Sequence, residues 1–199
     1  MTQCANQGYR RRGLILAMLA VATVLTAVAL APPPAVAQAV AADEGRTLAR
    51  ATLVATTGTK VRLDRLAQSS RAVILSLTFL GCRGVCPTSD LIMLNLEDRL
   101  ASVPRADVEL VTLSVDPFND TAYALARRAR EIGSTARRHW LTGAPADVFT
   151  VLDALGVNFG ATEDHPGAFF IITDAGRRIE RVDGAPDPTH LLTRAESRR

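Results

Sequence analysis

Acidic residues are absent from the first 37 positions, which carry three basic ones, Arg10, Arg11 and Arg12. The other 20 of the 23 basic residues are matched by 20 acidic ones, so the body of the chain has no basic excess. That excludes nucleic-acid binding as a default, because such proteins need a basic face to neutralise phosphates. Lysine is nearly missing, with Lys60 alone among many arginines. Internal repeats are lacking, as is low-complexity sequence beyond an Ala/Pro segment near residue 35, which excludes solenoid and array architectures. With 199 residues there is room for one ordinary domain and a short leader, not for two full domains. Cysteine is scarce too, with three in all, and Cys4 lies ahead of a hydrophobic segment. The remaining pair, Cys82 and Cys86, would close a very small loop. Such a loop constrains little chain entropy and makes a poor staple, so the pair points to chemistry rather than to a disulfide framework.

The leader has the parts of an export signal. Arg10-Arg11-Arg12 is a positive start, Leu14 to Ala31 is apolar apart from Thr23 and Thr26, Pro32-Pro33-Pro34 breaks a helix, and Ala35-Val36-Ala37 is a small-x-small cleavage pattern. Residues 1–37 are therefore expected to be an export signal or an N-terminal membrane anchor. Residues 14–31 are just long enough to span a bilayer if cleavage does not occur. Either way the arginines stay inside and the domain faces outward, in a periplasm or on the outer face of the cytoplasmic membrane. No cysteine follows the apolar run, which argues against a lipoprotein anchor. Residues 38–48 read as a linker and residues 49–199 as the folded domain.

Within that domain, Ala72–Phe79 (AVILSLTF) and Val108–Val115 (VELVTLSV) are apolar, β-rich runs of buried-strand character, and Phe169–Thr173 is a third. Leu53–Thr57 and Lys60–Leu63 flank Gly58 as a short hairpin, and Trp140-Leu141 reads as a short strand. A helix is expected from Cys86 to about Ser102, with Pro87 in its first turn. Others run from an Asp120-Thr121 cap to Ile132, from Ala146 to Leu155, and from Pro186 to Arg194. Asp174-Ala175-Gly176 turns the chain back into Arg178–Val182. A right-handed crossover makes the first two long strands parallel, and the late hairpin adds antiparallel ones. The expected class is α/β: a thioredoxin-like fold, with a mixed central sheet and helices on both faces. Its working site lies beyond the carboxyl ends of the parallel strands, where Cys82 and Cys86 fall.

A thiol acts in redox or metal chemistry as the thiolate. A helix N-terminus lowers a thiol pKa through its unpaired N–H groups and positive dipole end, and Cys86 sits where such a helix begins. Arg83 adds a cation, and Gly81 and Gly84 permit a tight loop. The three-residue gap lets both sulfurs turn toward one ion. Of the three histidines, His139 precedes a tryptophan in a packing context and His190 lies in the closing helix, far from the cysteines. His165 comes just before the strand that lies against the cysteine loop in this fold; on position alone it reads equally as a satisfied loop residue or as a ligand. Two thiolates and one imidazole would make a three-coordinate soft site that suits Cu(I) and falls short of a four-ligand structural zinc site.

From about Thr52 to Leu192 the sequence resembles the Sco/SenC proteins, thioredoxin-like copper chaperones associated with assembly of cytochrome c oxidase. The resemblance rests on Thr78-Phe79-Leu80-Gly81-Cys82 through Cys86-Pro87 and on Ser114-Val115-Asp116-Pro117 with Asp120-Thr121. Leu141-Thr142-Gly143 and Asp164-His165 ahead of Phe169–Asp174 complete it. It implies that Cys82, Cys86 and His165 are copper ligands and that Cys82 and Cys86 are a redox pair, with Asp116 and Asp120 bordering the site. The implied cofactor is a copper ion, Cu(I) or Cu(II). The implied partner is the copper-accepting subunit of a respiratory oxidase or another cysteine-containing metalloprotein. One departure matters: the family often has Pro and Asp between its cysteines, where this chain has Arg83, Gly84 and Val85. The cation favours thiolate and disfavours copper, which weights the chain toward redox work. A thiol–disulfide oxidoreductase that reduces a partner metalloprotein's cysteines is the competing function; a thiol peroxidase is a weaker one, since a peroxidatic cysteine with a resolving partner does not explain the histidine. A non-enzymatic binding or sensor domain is a third.

Overall fold

The computed structural model describes residues 50–105, 107–158 and 167–197. All of them belong to the second of the two units into which the chain divides, Ala39–Arg199. The expected leader, residues 1–37, lies outside the described residues. So do the expected linker, residues 38–48, and His165.

The elements in order are β1 (Leu53–Ala55), β2 (Lys60–Val61), α1 (Leu63–Ser69), β3 (Ala72–Thr78), α2 (Cys86–Arg99), β4 (Val108–Ser114) and α3 (Ala122–Glu131). They continue with β5 (Arg138–Gly143), α4 (Pro145–Ala154), β6 (Ala168–Thr173), a single 3-10 turn (Asp174–Gly176), β7 (Arg178–Asp183) and α5 (Pro188–Glu196). The strands form one mixed sheet in the order β2-β1-β5-β4-β3-β6-β7. β3 pairs in parallel with β4, and β4 with β5, while β6 runs antiparallel to β3. This is the thioredoxin-like α/β architecture expected from the sequence.

The central strands are buried along their whole length, because helices cover both faces of the sheet. On one face, Val73, Leu75 and Leu77 of β3 pack with Leu63 and Ala67 of α1 and with Val148, Val151 and Leu152 of α4. On the other, Ala72 and Ile74 meet Ile92, Met93 and Leu96 of α2 and Leu191 and Ala195 of α5. Each fully buried Leu or Ile contributes about 1.5–3 kcal/mol relative to exposure. The polar interruptions in β3 and β4 satisfy each other: Ser76 and Thr112 are register partners, and their hydroxyls lie 2.8 Å apart.

Two local expectations are revised. The hairpin's second arm stops at Val61, and Leu63 opens a seven-residue helix instead. The strand at Trp140-Leu141 extends over Arg138–Gly143, as an interior strand between β1 and β4. Its start is held by a buried ion cluster. The Arg138 side chain is fully buried, with Nε 2.8 Å from Glu97 Oε1 and Nη1 3.4 Å from Asp90 Oδ1. Its guanidinium lies 4.4 Å from the Trp140 ring centroid, in cation–π range. Burial pushes its pKa down, against the raising pull of Glu97 and Asp90. Asp90 also takes Arg128 of α3 at 2.9 Å. Glu97 accepts from the Ser134 hydroxyl and from the backbone N–H of Thr135. These contacts fix α2, the helix that begins at Cys86, against β5 and α3. The expected Asp120-Thr121 cap of α3 is found at Thr121, whose hydroxyl accepts the Ala124 N–H at 3.2 Å.

Candidate functional site

β3 ends at Thr78, and the chain turns at once, with the Cys82 N–H donating to the Phe79 carbonyl at 3.1 Å. The approach at Gly81 is close: a Cβ would stand 3.0 Å from the Phe79 ring, which packs in the core and would have to shift to admit it. At Gly84 there is open space, so no such contact demands a glycine. The loop delivers Cys86 to the first position of α2, followed by Pro87. Val85, the capping residue, makes no side-chain hydrogen bond to the helix start. Instead the Cys86 N–H points at Cys82 Sγ, 3.3 Å away, so the sulfur takes the place of a capping oxygen. Pro87 has no N–H to satisfy and costs the first turn nothing.

Cys82 and Cys86 are joined as a disulfide, with Cα atoms 5.9 Å apart. Cys86 is buried, at 3% exposure, whereas Cys82 is half-buried and packs on the core cluster beneath the loop. The two sulfurs are therefore unequal. An incoming reagent meets Cys82 first, and Cys86 lies behind it.

Asp120 supports this loop from below. It is buried, and its carboxylate accepts the Leu80 N–H at 3.1 Å and the Ser114 hydroxyl at 2.6 Å. The Ser114 oxygen in turn accepts the Asp116 N–H at 3.1 Å. The Asp120 carbonyl accepts the Thr142 hydroxyl of β5 at 3.0 Å. Burial pushes the Asp120 carboxyl above its ordinary range, opposed by the hydrogen bonds from Ser114 and Leu80 and assisted by the nearby Asp116 charge. Asp116 faces its own loop, holding the Asn119 amide at 2.9 Å. Of the two acids, Asp120 is the one that touches the cysteine loop, through the Leu80 N–H. The sequence pattern hid the role of Asp120, because an acid before a helix reads as a cap.

The histidines separate. His139 sits near the start of β5, the end of the strand away from the cysteine loop, 3.2 Å from Glu109 Oε2. His190 is exposed on α5. His165 lies outside the described residues. Gly167, two positions on, meets the cysteine loop directly: a Cβ there would stand 3.2 Å from the Val85 side chain. The entry to β6 therefore lies against the dithiol loop, as the expected fold required. Among the described residues no group of three His, Cys, Asp or Glu comes together to hold a metal ion, and no helix is long and apolar enough to cross a membrane. The reduced pair by itself offers two soft sulfur donors, a set suited to Cu(I) and ill suited to hard cations.

The fold is shared with solved structures of low sequence identity. Arabidopsis thaliana ScoI, solved with copper bound, superposes with a TM-score of 0.62 at 21% identity, over 75% of this chain and 97% of that one. BsSco, described as a Sco-family cytochrome c oxidase assembly protein with a disulfide switch, gives 0.63 at 19% identity, over 77% and 93%. A SCO1/SenC family lipoprotein from Bacillus anthracis gives 0.64 at 18% identity, over 80% and 98%. A search of curated protein sequences finds no match to the chain. The family model described as SCO1/SenC matches residues 41–198, and the chain belongs to that family.

Proposed function

We propose that this protein is an exported copper chaperone that binds one copper ion through Cys82, Cys86 and His165 and passes it to the copper-accepting subunit of a respiratory oxidase. The observation that carries the reading is the cysteine pair itself, held as a disulfide at the start of α2 with the Cys86 N–H on Cys82 Sγ. A sulfur that accepts a helix-terminal N–H is favoured as the thiolate, the form that binds metal. The contact of Gly167 with Val85 supports His165 as the third ligand, since two residues of chain span at most about 7 Å. Copper is the cargo. The protein supplies two thiolates and an imidazole in a low-coordination set, and oxidation to the disulfide removes both sulfur donors. Copper bound in solved family members agrees with this choice of ion.

Residues 1–37 serve in this reading as signal or anchor, residues 38–48 as tether and residues 49–199 as the working domain, on the periplasmic or outer side of the membrane. An alkaline-phosphatase fusion after Leu155 is expected to be active, and an inactive fusion would contradict export.

A second reading, a thiol–disulfide oxidoreductase acting on a partner metalloprotein, is favoured by the disulfide and by Arg83, a cation between the cysteines where the family often carries an acid. The deciding experiment is the copper content of the full-length chain in its two redox states. One copper per chain when reduced, and none as the disulfide, is expected. No copper in the reduced chain would leave the oxidoreductase reading alone.

A further inference from the structure

Six large hydrophobic side chains are exposed among the described residues, and five of them gather at one end of the sheet. Leu80 and Val85 belong to the dithiol loop that follows β3. Phe118 lies in the loop after β4, and Tyr123 is the second residue of α3. Phe149 is on α4, which follows β5. Since β3, β4 and β5 are parallel neighbours, the loops and first helical turns that leave their carboxyl ends lie on one rim, and the Phe118 contact brings Phe149 to it. The sixth, Leu91, lies further along α2.

The rim is held together. Phe118, 72% exposed, and Phe149, 44% exposed, form a tilted aromatic pair with ring centroids 6.0 Å apart. Phe118 is two residues before Asp120, whose carboxylate holds the Leu80 N–H, and Leu80 is two residues before Cys82. The aromatic pair and the reactive sulfur are thus parts of one braced unit. Clustered exposed aromatics are unusual on a soluble surface and mark contact sites.

From this placement we infer that Leu80, Val85, Phe118 and Phe149 form a docking rim for a cysteine-bearing segment of a second protein, with apolar residues beside its cysteine. The occupant follows from the chemistry of Cys82. Whatever covers this rim in the course of exchange must bring a sulfur to the half-buried Cys82 Sγ, and the side chains next to that sulfur then lie on the apolar rim. This inference rests on the dithiol being reactive and deepens either reading of the function.

The test uses the reduced full-length chain in detergent and two short synthetic peptides, each with one cysteine as a mixed disulfide with nitrothiobenzoate. One has leucine and phenylalanine beside the cysteine; the other has serine and glycine. The Cys82 thiolate attacks the peptide sulfur, the peptide–nitrothiobenzoate bond breaks, and nitrothiobenzoate leaves with the electron pair. The Cys86 thiolate then attacks Cys82 Sγ and releases the peptide thiolate, which takes up a proton. The protein dithiol loses two electrons, and the probe disulfide gains them.

The wild-type chain is expected to react about tenfold faster with the apolar peptide than with the polar one. Phe118→Ser/Phe149→Ser is expected to bring that ratio close to one, and Leu91→Ser to retain it. Taking the ratio cancels any general change in thiol reactivity. Equal wild-type rates, or a ratio untouched by the double substitution, would overturn the docking rim. No nitrothiobenzoate release from either peptide would instead overturn the reactive dithiol beneath it. A wild-type dimer that dissociates on Phe118→Ser/Phe149→Ser would assign the rim to a second copy of the chain and overturn the proposal as stated.

Discussion

The backbone N–H of Cys86 lies 3.3 Å from Sγ of Cys82, so the start of α2 is aimed at the more exposed of the two sulfurs. This makes the cysteines unequal in reactivity as well as exposure. In Cys86→Ser, Cys82 is expected to titrate below the free-thiol value of about 8.5, and in Cys82→Ser the buried Cys86 is expected to alkylate more slowly. The pH dependence of iodoacetamide labelling, read by mass spectrometry, checks both. Arg83→Asp should raise the Cys82 pKa by exchanging a cation for an anion, and should strengthen copper binding for the same reason. Equal labelling of the two single-cysteine variants would contradict the assigned asymmetry.

Asp120 gives a pH dependence of known sign. Burial raises its folded pKa above the ordinary 3.8, so between that value and the raised one the native chain keeps a proton that the unfolded chain has released. The native state binds more protons there, and its stability falls as pH rises through that window and stays lowered above it. Asp120→Asn cannot ionise, yet its amide oxygen can still accept the Leu80 N–H. Urea unfolding from acid to neutral pH is expected to show wild type losing stability relative to this variant. Parallel curves would remove the argument.

Much of this was legible in the residues, for identifiable reasons. The strands β3, β4 and β6 are largely apolar runs because they are buried along their whole length, covered on both faces. The start of α2 was legible because Pro87 is tolerated in the first turn of a helix but not in its interior. What stayed hidden was polar and tertiary. β5 begins Arg138-His139-Trp140, which does not read as an interior strand until Glu97 and Asp90 of α2 are seen to neutralise Arg138. Helix α1 has only seven residues, too few to show a period. Asp120 looked like a cap, and only the folded loop shows its carboxylate on Leu80.

The Arg138 cluster predicts a stability effect remote from the dithiol. Arg138→Met leaves Glu97 without its guanidinium in a fully buried setting and is expected to cost about 3–5 kcal/mol. Glu97→Gln/Arg138→Met is expected to recover part of that loss, because no lone buried charge remains beside Glu97's other donors, Ser134 and Thr135. Chemical denaturation of the two variants measures both numbers. Additive losses would show that the cluster is not acting as a unit.

The central claim is that a third ligand, His165, joins two thiolates on one copper ion. Copper affinity of the reduced full-length chain, by competition with a chromophoric Cu(I) chelator, tests it in wild type, His165→Ala, His139→Ala and His190→Ala. Loss of a direct ligand is expected to exceed the roughly ten- to hundredfold effect of an outer partner. Affinity should therefore fall by more than about a hundredfold in His165→Ala. It should be unchanged in His139→Ala and His190→Ala, and all four chains should still form the Cys82–Cys86 disulfide. Equal copper affinity in wild type and His165→Ala would contradict the three-ligand site and leave a dithiol exchanger in its place.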